Sequence, residues 1–82
     1  MFYVYIIKLK RDKSLYFGST NDLRRRLVEH TKSKGDLDLI YYEAYRSEAD
    51  ARRREHNLKY FGKAYGRLKG RIEESLKDFP NV

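Results

Sequence analysis

Phe2-Tyr3-Val4-Tyr5-Ile6-Ile7-Lys8-Leu9 is the stretch on which the fold turns. Its residues are almost all aromatic or β-branched, the types that fit a pleated strand. Phe2, Val4 and Ile6 fall on one face, and Tyr3, Tyr5, Ile7 and Leu9 fall on the other. Both faces are apolar, so the segment is predicted to be an inner strand covered on two sides. The polar residues 10–14 that follow read as a hairpin loop, and residues 15–19 read as a second short strand. The parity of that loop matters. With two or four residues in it, Tyr16 and Gly18 share a face with Tyr5 and Ile7; an odd number reverses this.

Outward from the hairpin, Ser19, Thr20, Asn21 and Asp22 are all candidate N-caps for a helix beginning LRRRLVEH and running to about Lys34, before Gly35. LIYYEAY predicts a third strand near residues 39–45. Ser47 with Asp50 three residues later has the form that opens a second helix, expected to run to about Gly62. A last helix is expected from about Ala64 to Leu76, with Tyr65, Leu68, Ile72 and Leu76 at helical spacing and Pro80 beyond its end. Gly66 and Gly70 weaken it, either as plain helix defects or as sites of close backbone packing. The fold class expected is α/β (α+β): a small three-stranded, largely antiparallel sheet flanked by three helices, forming one domain over residues 1–82.

Nineteen Lys and Arg against twelve Asp and Glu leave a formal charge of +7, the balance of a domain that meets a polyanion. There is no cysteine, which removes disulfides, thiolate catalysis and Cys-ligated zinc. Neither a bilayer-spanning run nor a signal-peptide core is present, so a cytoplasmic protein without membrane contact is expected. P-loop, dinucleotide, HExxH and serine-elbow motifs are absent, and several enzyme classes go with them.

Residues that could carry chemistry are few. Helical spacing sets Arg24 and Arg26 on opposite flanks of the Leu23/Leu27 stripe and turns Arg25 away from it. His30, four residues after Arg26, shares its flank, so the two form a pair at the edge of the core. Spacing alone allows equally a solvated basic face with an incidental His. Glu55 lies between Ala51 and Leu58 on the apolar stripe of the second helix. A carboxylate there needs an Arg or a metal as partner, and spacing does not choose between them. His56 points off the stripe and reads as a surface residue. Most tyrosines are packing residues, with Tyr5 and Tyr16 the two to weigh. Two phenols, an Arg, a His and one carboxylate would form a phosphodiester-cleaving set.

The same residues resemble the GIY-YIG nuclease family. Tyr3-Val4-Tyr5 stands where that family has its first triplet and Tyr16-Phe17-Gly18 where it has the second, while NDLRRRLVEH is similar to its N-D-L-x-x-R-x-x-x-H helix. SEADARRREHNLK resembles the Glu-bearing helix of small single-domain members. Tyr3 departs from the family's Gly, and Phe17 from its usual aliphatic residue. The resemblance implies an endonuclease hydrolysing DNA, structured or damaged DNA being the expected substrate, with one divalent metal, Mg²⁺ or Mn²⁺. It implies Glu55 as metal ligand, Arg26 on the scissile phosphate, and Tyr5, Tyr16 and His30 as catalytic residues. Arg24, Arg25, Lys32 and Lys34 are the expected nucleic-acid contacts, and a targeting protein partner is compatible with so small a domain. The rival reading is a non-catalytic basic nucleic-acid-binding module, with Glu55 only an ion-pair partner.

Overall fold

A computed structural model describes residues 1–77; the helix stop expected at Pro80 lies outside them. Strands β1 (Phe2–Leu9) and β2 (Leu15–Thr20) lead into helix α1 (Leu23–Lys34). Strand β3 (Leu37–Tyr45) follows, then helices α2 (Glu48–Tyr60), α3 (Gly62–Arg71) and α4 (Glu73–Leu76). The sheet is antiparallel in the order β2-β1-β3, so the doubly apolar strand is the central one.

Each face of β1 is buried under a different part of the chain. Val4 and Ile6 form a core with Ala51 and Leu58 of α2, Leu68 of α3 and Ile72. Tyr5, Ile7 and Leu9, on the opposite face, are also fully buried, and α1 meets that face through His30. Among the described residues no helix is long and apolar enough to cross a membrane.

The hairpin settles the parity. Leu9 N–H donates to Ser14 O at 2.9 Å and Lys13 N–H to Leu9 O at 3.0 Å, closing a loop of even length, with Lys13 in the left-handed region at φ 63°. Tyr5 therefore pairs with Gly18 and Ile7 with Tyr16, all on the α1 face. Against β3 the register slips between Ile6 and Ile7, leaving Ile40 as an extra residue that packs on the α2 core. This bulge returns Leu39 and Leu37 to the face they share with Ile7 and Leu9.

Helix starts follow local chemistry. Of the four candidate caps before α1, Asp22 does the work, its carboxylate accepting Arg25 N–H at 3.1 Å. Ser47 caps α2 through a longer contact of 3.5 Å from Asp50 N–H.

Some expected boundaries move, the start of the last helix among them, at Gly62 rather than Ala64. Strand β2 extends one residue to Thr20, and β3 starts at Leu37 rather than near Leu39. The last helix is not continuous: at Ile72 (φ −120°, ψ 27°) it breaks into α3 and α4, so among the described residues there are four helices rather than three. Ile72 is buried in the core, and two glycines in the preceding turns leave the helix too weak to hold its axis against that burial. A Cβ at Gly66 or Gly70 would meet open space, so these glycines are plain defects and not close-packing sites. Lys8 Nζ ties α4 back to β1 by donating to Leu76 O at 2.9 Å.

Candidate active site

Helix α1 presents Arg26, His30 and Lys34 one turn apart along the side facing the hairpin. His30 is the buried residue of the helix, only 8% exposed, and its Nε2 lies 2.7 Å from the Tyr5 hydroxyl. Their rings meet edge to face at 5.7 Å. Further along, Lys34 Nζ sits 4.8 Å from the centre of the Tyr16 ring, a cation–π contact at the rim, where Tyr16 is 38% exposed. Gly18 is what allows this arrangement. The Tyr5 phenol lies across its backbone, and any Cβ there would strike the Tyr5 Oη and Cζ.

Burial raises the pKa of the Tyr5 phenol; a hydrogen bond and the positive charge of Arg26 oppose this, and Glu55 adds to it. Burial lowers the pKa of His30, helped by the charges of Arg26 and Lys34. Both groups are thus neutral near pH 7, and their short bond joins two uncharged partners.

Glu55 reaches the same region from α2. Ser19 Oγ, projecting from β2 on the α2 face, donates to Glu55 Oε1 at 2.6 Å, and Lys59 Nζ pairs with Oε2 at 2.8 Å. Of the two partners expected, an Arg or a metal, the Arg is corrected: the side-chain cation on Glu55 is Lys59. One helical turn separates the two residues, while the nearby Arg54 is committed elsewhere: its guanidinium grips both oxygens of Glu43 at 2.9 and 3.2 Å. Burial works against the charge of Glu55, but the bonds from Lys59 and Ser19 outweigh it and hold its pKa below the usual value.

Two hollows meet at Ser19 and Arg52. One, of about 470 Å³, takes in Thr20, Asn21, Arg25, Arg26, Glu29 and Glu48; the other, of about 380 Å³, takes in Glu55, His56 and Lys59. Arg26, half-exposed, has a 3.8 Å contact to Glu29. Arg25 lines the first hollow beside Arg26 and reaches Asn21 Oδ1 at 3.4 Å. Arg24 does not join them, for it borders a separate groove with Tyr3, Tyr42 and Val28. Lys32 is exposed on the last turn of α1.

Sequence reasoning missed Ser19, Lys59 and Glu43. The i,i+4 spacing of Glu55 and Lys59 was a readable signal. Ser19 and Glu43 depend on sheet register. Glu43 accepts hydrogen bonds from Tyr41 at 2.7 Å and Tyr45 at 2.8 Å besides Arg54, a network that braces β3 against α2.

Among the described residues no three His, Asp or Glu side chains cluster as they would around a metal. A Mg²⁺-type ion needs less. One hard carboxylate suffices when water and substrate phosphate complete the shell, and Glu55, partly exposed beside a hollow, fits that requirement. In the structure Lys59 supplies the positive charge at the same carboxylate.

Residues 1–67 match the family model of the GIY-YIG catalytic domain. A UPF0213 protein of Clostridium perfringens is 39% identical over 67 residues, covering 72% of this chain and 71% of that protein. A UPF0213 protein of Staphylococcus haemolyticus is 38% identical over 69 residues, covering 74% and 83%. The solution NMR structure of a UPF0213 protein from Bacillus halodurans aligns over 100% of both chains with a TM-score of 0.58 at 29% identity.

Proposed function

Because the chain belongs to the GIY-YIG catalytic-domain family, we propose that it is a metal-dependent endonuclease that hydrolyses phosphodiester bonds in structured or damaged DNA. The observation that carries this reading is the buried 2.7 Å bond between Tyr5 and His30, set in the field of Arg26 and Glu55.

Hydrolysis requires that an attacking water lose a proton and that charge on the phosphate be offset. A phenol whose pKa is raised does not stand ready as phenolate, but it can relay. As the Tyr5 oxygen takes the water proton, its own hydrogen passes to neutral His30 Nε2, and no isolated phenolate forms. Arg26 binds the scissile phosphate, and its charge is worth most where burial thins the surrounding water. Glu55 would hold the divalent cation, Mg²⁺ or Mn²⁺, with Ser19 fixing the carboxylate. When bound, the cation supplies charge neutralisation at the phosphate and stabilises the leaving oxygen. A single convergent carboxylate favours a one-metal scheme over a two-metal one. Tyr16 and Lys34 guide the backbone at the rim, with Arg25 along the adjoining hollow and Lys32 at the end of α1.

The test is nicking of supercoiled plasmid and of labelled branched DNA with Mg²⁺, with Mn²⁺ and with chelator, Glu55→Gln beside the parent. Cutting that needs metal and disappears in Glu55→Gln while binding survives is the expected result. Retained binding with no cutting on any substrate would transfer the reading to the non-catalytic basic module.

A further inference from the structure

Three rings gather at the end of α2 without serving the core. The His56 ring lies 4.8 Å from Tyr60 at 45° and 5.8 Å from Phe61 at 66°. Tyr60 is 70% exposed and Phe61 55%, and neither belongs to the hydrophobic cluster that holds the sheet to its helices. Rings of this size, propped against one another and open to water, add little to folding.

Their surroundings say what they could meet. His56 and Tyr60 line the same hollow as Glu55, Ser19, Arg52 and Lys59. Arg53 and Lys63 are exposed close by in the chain. The rim carries Arg52, Arg53, Lys59 and Lys63 against Glu48, Asp50 and Glu55, with which Arg52, Arg53 and Lys59 pair at 3.0, 3.6 and 2.8 Å. In a chain of charge +7 cations still outnumber acids here, and the hollow opens directly onto the carboxylate assigned above to the metal. Cations attract phosphates, and exposed ring faces attract other ring faces, so the chemistry recognised is a phosphate joined to an aromatic base. In a duplex the base faces are hidden in the stack, and only an unpaired or extruded base can offer one to a protein ring.

We propose that His56, Tyr60 and Phe61 form a stacking platform for an unpaired nucleobase of DNA flanking the scissile phosphate, so that the site selects strands with a single-stranded segment. The inference rests on the nuclease reading for the word scissile, but the stacking itself does not. Tyr60, carried on the last turn of α2 and steadied by His56, is the principal ring, with Phe61 as its neighbour. The hollow then reads one phosphate and one base together, with Lys59 and Arg52 between them.

Fluorescence anisotropy of the full chain in chelator, where no cutting can occur, tests this with a fully paired duplex, the same duplex carrying a single-stranded flap, a single strand, and a single strand with abasic sites. Tyr60→Ala is expected to weaken flap and single-strand binding by at least about fivefold and to leave duplex binding within about twofold. Tyr60→Phe keeps the ring and is expected to bind as the parent does, while the abasic strand binds the parent no better than the normal strand binds Tyr60→Ala. Equal loss on duplex and single strand, or no loss on either, would overturn the platform, and the second outcome would leave the patch to a protein partner. Failure of the nuclease reading looks different: no metal-dependent cutting, with the ring-dependent preference for single strands intact.

Discussion

The Tyr5 hydroxyl and His30 Nε2, 2.7 Å apart and buried, join the central strand to α1 across the face of the sheet that carries the proposed proton relay. The bond is structural as well as functional, because its loss strands a ring nitrogen away from water. Tyr5→Phe is expected to cost about 1–3 kcal/mol in urea unfolding, the penalty for one unsatisfied buried polar group. Cleavage per folded molecule should fall far more than DNA affinity, which single-turnover assays beside anisotropy would read.

Gly18→Ala probes the same bond from beneath. The new methyl meets the Tyr5 phenol, which cannot step aside without leaving His30. A loss of about 1–3 kcal/mol is expected in thermal or urea melts, the usual cost of overpacking. Displacement of the His30 ring resonances by NMR would show that the phenol had moved.

Acid should unlock α1 through His30. Its pKa in the fold lies below the 6.5 of the exposed ring, so folding favours the neutral form. Its contribution is full above about pH 6.5 and is lost as pH falls through the lowered value, because the unfolded chain then binds the proton more readily. Urea midpoints are expected to fall on acidification below about pH 6.5, and less steeply in His30→Gln. Glu43 and Glu55 titrate below the 4.5 of free carboxyls and add a separate loss at lower pH. Protonated His30 cannot accept from Tyr5, so cleavage should show an acid limb in the first window. A flat profile there would remove His30 from the relay.

Glu43→Gln separates scaffold from site. Burial opposes its charge, yet Arg54, Tyr41 and Tyr45 hold its pKa low and depend on it for four hydrogen bonds. The substitution leaves the partly buried Arg54 uncompensated, for a loss of about 1–3 kcal/mol, less than for a fully buried pair. Turnover per folded molecule should stay near that of the parent. Glu55→Gln should do the opposite, abolishing turnover with a small change in the melt.

Much of this was legible in the chain order. Alternating apolar residues marked β1 as central because both its faces carry large side chains. Asp22 and Ser47 could be named as candidate caps because capping is a contact between neighbours in sequence. The i,i+4 step from Arg26 to His30 put them on one flank without any tertiary information. The GIY-YIG resemblance was carried by residues lying close together in short segments, and the family match over residues 1–67 agrees with it. Where the last helix was drawn as continuous, local spacing misled, since Tyr65, Leu68, Ile72 and Leu76 keep helical spacing on either side of a break set by the packing of Ile72.

Sequence by itself thus determined the order of elements, the two apolar faces of β1 and the shared flank of Arg26 and His30, all of which follow from the spacing of residues a few positions apart. Tertiary structure alone decided that the hairpin loop is even, which sets Tyr16 and Gly18 beside Tyr5 and turns Ser19 toward Glu55. It also decided that Glu55 meets Ser19, that Arg54 is spent on Glu43, and that Arg25 lines the hollow beside Arg26. The physical reason is one of range: a one-residue change in loop length or register costs little locally, yet it exchanges every side chain between the two faces of the sheet, and only the packing of distant segments chooses between them.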